Sequence, residues 1–338
     1  MTVLPATKDT VYEPVPLWAK IPHGLWLREA TSVAVDSRDR VYVFNRGNMP
    51  VMVFDRDGNL VHYWGNDNPY AGVVEITDPY GNPMKMWAGN QYTWAHSIRV
   101  DSDDNVWLVD TVGNKIYKTD ITGQTKLSIG TGVPTKRQGG EPFNRPTDIA
   151  VHEPTGDLFI SDGYGNSRIH RYDKDGNLKF SWGEPGADPG QFSVPHNLAI
   201  TTDGFVVVCD RENHRVQVFT LDGEFVREWH VHKACAVFAG KGADTNIYIG
   251  EQGPPALQFG VPNLGHRVSI WTIEGKLVNR IGNPLPGEAP DQFLWPHSVA
   301  VDSEGSIYVA DVSYVEVGSR QNPPREMVSL HKWRRVRG

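Results

Sequence analysis

Two cysteines, Cys209 and Cys235, are all that the 338-residue chain contains. That is too few for a disulfide framework and is compatible with a reducing compartment, so the pair reads as buried free thiols. Nowhere do about 18 apolar residues run together, which leaves no candidate hydrophobic transmembrane helix. The opening MTVLPATKDTVYEPVP has neither a basic n-region nor a continuous apolar h-region, and the expectation is a soluble, unexported, cytoplasmic protein. Charge of one sign is also missing: 33 basic and 40 acidic residues, net −7, are scattered rather than blocked. No basic face therefore speaks for nucleic acid or an anionic membrane. The expected partner is a small-molecule or peptide-like substrate.

What is present is a phrase that recurs. An alternating apolar–polar strand, a D-x-x-G or D-x-D-N turn, a second strand ending in an acidic or amide residue, and a later F/Y-D-x-x-G turn begin at Thr31, His96, Thr147 and His196. A divergent copy begins at Ala236, and "HSVAVDSEGSIYVADV" begins at His297. Turn chemistry breaks each unit into four short strands. One four-stranded sheet cannot bury both its faces, so six of them predict an all-β, six-bladed β-propeller, a single domain over residues 1–338. The segment "YEPVPLWAKIP", within about residues 1–30, is the candidate strand that closes the ring. Asp110, Asp162, Asp210 and Asp311 end equivalent strands and read as turn caps, and Trp64 and Trp182 read as packing between blades.

Histidine opens the unit in every other blade. His96, His196 and His297 lie 100 and 101 residues apart, two blades each time, whereas Thr31, Thr147 and a residue near Ala234 stand at the intervening positions. First strands line the channel of a propeller, so the three imidazoles are expected to converge on its axis. Three imidazoles with the fourth position open are the ligand set of a catalytic zinc. The trio contains no carboxylate, which disfavours calcium or magnesium; iron(II), cobalt and manganese are compatible with the same donors.

The N-R and N-H-R endings in "DGYGNSRIHRY" and "DRENHRVQVF" resemble the NHL repeat. From about Pro22 to Val312, "AHSIRVDSDDNVWLVD", "RPTDIAVHEPTGDLFISDGYGNSRI", "VPHNLAI" and "WPHSVAVDSEGSIYVAD" are similar to the peptidyl-α-hydroxyglycine α-amidating lyases (peptidylamidoglycolate lyases). That resemblance implies an NHL-type propeller with zinc on His96, His196 and His297, a catalytic tyrosine at Tyr164 and an arginine at Arg46. The sequence also departs from the family. Trp295 stands where the family has methionine, and Gly165 stands where it has a cysteine. Ser298 replaces an aspartate that helps hold a structural calcium, leaving only a backbone contribution at Ile98.

The chemistry so implied cleaves the C–N bond of an α-hydroxyglycine-type carbinolamide to an amide and glyoxylate, with Tyr164 taking the hydroxyl proton and Arg46 supplying positive charge. A small N-(hydroxyalkyl)amide or ureidoglycolate-like metabolite fits as well as a peptide. Two alternatives stand beside it: another metal-dependent enzyme, a lactonase-like hydrolase or a hydratase, and a non-catalytic NHL scaffold that binds protein or RNA. The long segments 66–94 and 252–267 break the blade rhythm and are expected to shape the pocket, their aromatic content suiting an apolar substrate portion.

Overall fold

The computed structural model describes residues 4–77, 83–138 and 142–336; part of the 66–94 segment, residues 78–82, lies outside them. Six four-stranded antiparallel sheets follow one another around a central channel. Their innermost strands are Ala30–Val35, Ala95–Val100, Asp148–His152, Pro195–Ile200, Ala234–Ala239 and Pro296–Val301. Five blades run inside to outside in chain order. Blade 6 is completed by Leu330–Val336 and then Val11–Pro14, with Val11 opposite Val336 and Pro14 opposite Trp333. The chain ends thus join in one sheet, as the opening segment suggested.

Each second strand is rich in β-branched and aromatic residues. Val41–Asn45, Val106–Asp110 and Val206–Asp210 are buried at every position, because both faces of a blade pack on neighbouring blades. Outer strands such as Leu60–Trp64 keep an exposed stretch. Hairpins on the face opposite the histidines are closed by aspartate: Asp55 Oδ1 accepts from the N–H groups of Asp57 and Asn59 at 3.0 and 2.8 Å while Gly58 turns at φ +82°.

The same turns hold the blades together. Trp64, ending blade 1, lies against the turn glycine Gly123 of blade 2, and Trp182, ending blade 3, lies against Gly223 of blade 4. A Cβ at Gly123 would sit 2.4 Å from the Trp64 ring, and one at Gly223 would sit 2.9 Å from the Trp182 ring. The large apolar surface of each tryptophan is therefore used between blades, as expected.

Within the channel Arg99 pairs with the buried carboxylate of Asp148, which also accepts from Asn197 Nδ2 at 2.7 Å and Leu198 N at 3.1 Å. Ser298 Oγ lies 3.0 Å from Ser32 Oγ, and Ser32 Oγ donates to Ile98 O at 3.5 Å. The side chains at Ile98 O are thus the neutral hydroxyls of Ser32 and Ser298, bonded to each other. They do not fit a structural calcium, which takes several oxygens from carboxylates and carbonyls. Among the described residues no helix is long and apolar enough to cross a membrane.

Two glycine substitutions separate clash from backbone strain. Gly190 has φ +82° with nothing within 4 Å of an added Cβ, whereas Gly123 has φ +88° and the Trp64 ring in the way. Gly190→Ala should cost about 1–2 kcal/mol from its left-handed backbone, and Gly123→Ala about 1–3 kcal/mol more from overpacking. Urea denaturation of the two variants measures the difference, and equal midpoints would contradict the packing role of Trp64.

Candidate active site

Five of the six inner strands share a device at the end of the channel where they begin. In blades 1, 2, 5 and 6 the pairing of first and second strands shifts register across Thr31, His96, Cys235 and His297, and in blade 4 across the stretch containing His196. A bulge re-aims the side chain it carries, here toward the axis. The blade 5 counterpart of the histidines is Cys235, one residue beyond Ala234, since it holds the bulged position there as His96 and His297 do in their blades.

The three imidazoles meet. Ring centroids of His96, His196 and His297 lie 4.9, 4.7 and 4.7 Å apart, and one nitrogen from each falls within 4.8 Å of the others. Each Nδ1 is hydrogen-bonded to a backbone carbonyl of the next blade: His96 to Thr147 O at 2.6 Å, His196 to Cys235 O at 2.9 Å, His297 to Thr31 O at 2.7 Å. A carbonyl only accepts, so Nδ1 carries the proton and Nε2 keeps its lone pair. The odd blades therefore set the tautomer of the even ones.

All three rings are essentially buried, and their pKa values fall well below the ordinary imidazole value. Burial is the main cause for each. His297, His196 and Arg46 add to it at His96, and His196 and Arg46 at His297. His196, with Arg211 as its next largest influence, is lowered to about 3. Neutral imidazoles with lone pairs converging on one point are the form in which histidine ligates a metal.

Tyr164, from the connection after the second strand of blade 3, places its hydroxyl 3.0 Å from Nε2 of both His96 and His196. Arg46 occupies the corresponding connection of blade 1. Its Nε donates to Ala95 O at 3.2 Å, its Nη1 to Glu29 Oε1 at 2.5 Å, and its guanidinium lies 3.7 Å over the Trp94 ring. Arg46, Tyr164, His297 and Trp295 line one cavity of about 450 Å³ at the channel mouth. All five residues singled out from the sequence therefore converge at that mouth.

The sequence reading missed Arg211. It lines the same cavity, with its guanidinium 5.7 Å from the Tyr164 ring centroid and its Nε 2.8 Å from Glu212 Oε1, while Lys233 Nζ donates to Glu212 Oε2 at 2.9 Å. The signal was available: Arg211 follows the strand-ending Asp210 as Arg46 follows the strand-ending Asn45, and blades 1 and 4 face each other across the ring. Also unforeseen was a short helical segment from 312–329 that adds Val315, Glu316 and Arg320 to the wall.

The strand-ending aspartates are not exposed to this cavity; they pin the backbone that leads into the inner strands. Asp110 accepts from the N–H groups of Thr93 and Trp94 at 2.7 and 2.8 Å, Asp210 from Ser193 N at 2.7 Å and Asp311 from Leu294 N at 2.7 Å. Each bond lies two or three residues ahead of a histidine, and Asp162 binds Asn144 N in the same way at 3.0 Å. Cys209 and Cys235 are buried and unbridged.

Comparison with known proteins agrees with this architecture. The NHL repeat signature matches residues 143–172, 192–219 and 293–315, which fall in blades 3, 4 and 6. Peptidyl-glycine alpha-amidating monooxygenase B of Xenopus laevis is 28% identical over 297 residues, 85% of this chain and 33% of the frog protein. Peptidyl-alpha-hydroxyglycine alpha-amidating lyase 1 of Drosophila melanogaster is 28% identical over 316 residues, 86% of this chain and 56% of the fly protein. The chain thus spans about a third of the one and just over half of the other. Among solved structures, virginiamycin B lyase of Staphylococcus aureus superimposes with a TM-score of 0.58 over 97% of this chain and all of that one, at 14% identity, a likeness of fold alone. The chain carries NHL repeats and is homologous to the peptidyl-α-hydroxyglycine α-amidating lyases.

Proposed function

We propose that this protein is a metal-dependent lyase that cleaves the C–N bond of an α-hydroxyglycine-type carbinolamide, R–CO–NH–CH(OH)–COO⁻, to an amide and glyoxylate. The observation that carries the reading is the set of three neutral, axially converging imidazoles with a tyrosine hydroxyl at hydrogen-bond distance from two of them.

The donor set fits a metal. His96, His196 and His297 would hold it through Nε2, with zinc favoured by three imidazoles and no carboxylate in the trio, and iron(II), cobalt or manganese able to take the same ligands. A divalent ion bound there supplies Lewis acidity toward the substrate's hydroxyl or carboxylate oxygen.

The chain's own residues supply the rest. Arg46 and Arg211, on opposite sides of the mouth, are suited to hold the substrate carboxylate, and Glu29 keeps the Arg46 guanidinium in place. Tyr164 Oη takes the proton from the substrate hydroxyl as its C–O bond becomes a carbonyl and the C–N bond breaks. Tyrosine takes a proton only as its phenolate, a form that nearby positive charge favours and that the two arginines at the mouth would support. Trp94 and Trp295 give the mouth apolar walls and are suited to an apolar group on the acyl side, whether of a peptide or of a smaller amide.

Metal analysis of the purified protein, paired with an assay for glyoxylate release from α-hydroxyhippurate, tests the reading. The wild type should hold about one metal ion per chain and release glyoxylate. His196→Ala should lose metal and activity together, because two imidazoles bind far more weakly than three; full metal content in all three single-histidine variants would refute the metal site.

Tyr164→Phe removes one oxygen and keeps the ring. Metal content should be unchanged and turnover should fall by about 10²- to 10⁴-fold, the usual contribution of a positioned general base. Near-normal turnover would pass the proton to another group and move the reading toward a hydrolase or hydratase on the same histidines.

A further inference from the structure

The connection between the second and third strands of blade 6 is built unlike those of the first four blades. There the corresponding stretches, 46–50, 111–114, 163–167 and 211–214, are tight. Here 312–329 forms a helical turn, Ser313–Glu316, and a 3-10 turn, Gly318–Arg320, over the mouth. The turn is docked onto the site: Val315 N donates to Glu29 Oε2 at 2.8 Å while Glu29 Oε1 accepts from Arg46 at 2.5 Å. Val315 and Glu316 thereby line the cavity that Tyr164 and His297 also line.

Three carboxyl groups stand at or just behind this cavity, and their situations differ. Glu29 is committed to Arg46 and the Val315 N–H. Glu212 is clamped between Arg211 at 2.8 Å and Lys233 at 2.9 Å. Among the described residues the Glu316 carboxylate has one long contact, 3.5 Å, with Arg320 Nη2. Burial pushes its pKa up, outweighing Arg320, Arg211 and Lys233, with the Glu29 carboxylate adding to the rise. A loosely held carboxyl on the wall of the cavity that Tyr164 and His297 also line, with its pKa raised, is placed to donate a proton.

The proposed cleavage needs such a donor. When the carbinol hydroxyl loses its proton to Tyr164 and the C–N bond breaks, the electron pair of that bond goes to the amide nitrogen, a poor leaving group unless it is protonated. We propose that Glu316 is the general acid that protonates the departing amide nitrogen, an inference that rests on the lyase reading. Its carboxyl O–H passes to nitrogen as the C–N bond breaks. Solvent then restores a proton to Glu316 and removes one from Tyr164, so the turnover consumes no net proton and requires no co-reactant.

The test uses metal-loaded full-length protein and a series of N-acyl-α-hydroxyglycines from acetyl to trifluoroacetyl, whose amide leaving groups fall in basicity. Glu316→Gln should keep its metal content and lose about 10²-fold or more in kcat on the acetyl compound. The loss should shrink several-fold or vanish on the trifluoroacetyl compound, whose nitrogen leaves without help. Glu316→Asp, which retains an acid, should show a shallower dependence on leaving group than Glu316→Gln. A uniform loss across the series in Glu316→Gln, or no loss at all, overturns the role of Glu316 while leaving the lyase reading intact. Absence of glyoxylate release from every compound by the wild type overturns both.

Discussion

The hydrogen bond from a buried imidazole Nδ1 to the carbonyl of the next blade is the contact on which the site depends. It occurs three times, His96 to Thr147, His196 to Cys235 and His297 to Thr31. Each instance ties the radial position of one blade to the chemistry of its neighbour. A buried imidazole without such a partner could turn or change tautomer, and its Nε2 lone pair would no longer be directed at the axis. The bond is possible because the inner strands bulge at that residue. It is kept in place by the aspartates that fasten the incoming backbone two or three residues earlier. Site geometry and ring geometry are thus one problem: sheets that slid by a residue would lose both.

This coupling explains why so much was legible in the sequence. The repeat length gave the blade count, and a side chain at a fixed place in every second repeat must reach the axis together with its counterparts. His96, His196 and His297 could therefore be grouped before any contact was known. Trp64 and Trp182 were readable for the same reason, since a tryptophan ending a blade has only the next blade's turn to lie on. Arg211 escaped because its charge looked like ordinary surface; only alignment of blade 4 on blade 1 puts it in register with Arg46. The helical turn at Ser313–Glu316 escaped for a stronger reason. It belongs to no repeat, and its docking depends on Glu29, nearly the whole chain away in sequence, through the Val315 N–H. Long-range contacts of that kind leave no local periodicity to read.

The two ends of the channel divide the work. Tight aspartate–glycine hairpins crowd one face, and between it and the histidines Arg99 and Asp148 form an ion pair in the channel. Such a pair costs desolvation that its attraction barely offsets, and here it is supported by Asn197 and the Leu198 N–H.

The other face carries nearly all the irregular structure: the 66–94 insertion with its two-stranded hairpin Val73–Thr77 and Pro83–Trp87, the 252–266 connection, and 312–329. These segments contribute Pro255, Val315, Glu316 and Arg320 to the cavity wall, whereas the histidines and Tyr164 come from the repeats. The repeats fix where bond cleavage can occur, because their geometry is shared around the ring and tolerates little change. The inserted connections are free of that symmetry and set what can approach: apolar walls, a rim of cations and one loosely held carboxyl. Tyr164 sits against His96 and His196, while Glu316 reaches the same cavity from the outermost irregular segment. The proposed proton acceptor is thus placed by the ring, and the proposed donor by an inserted connection.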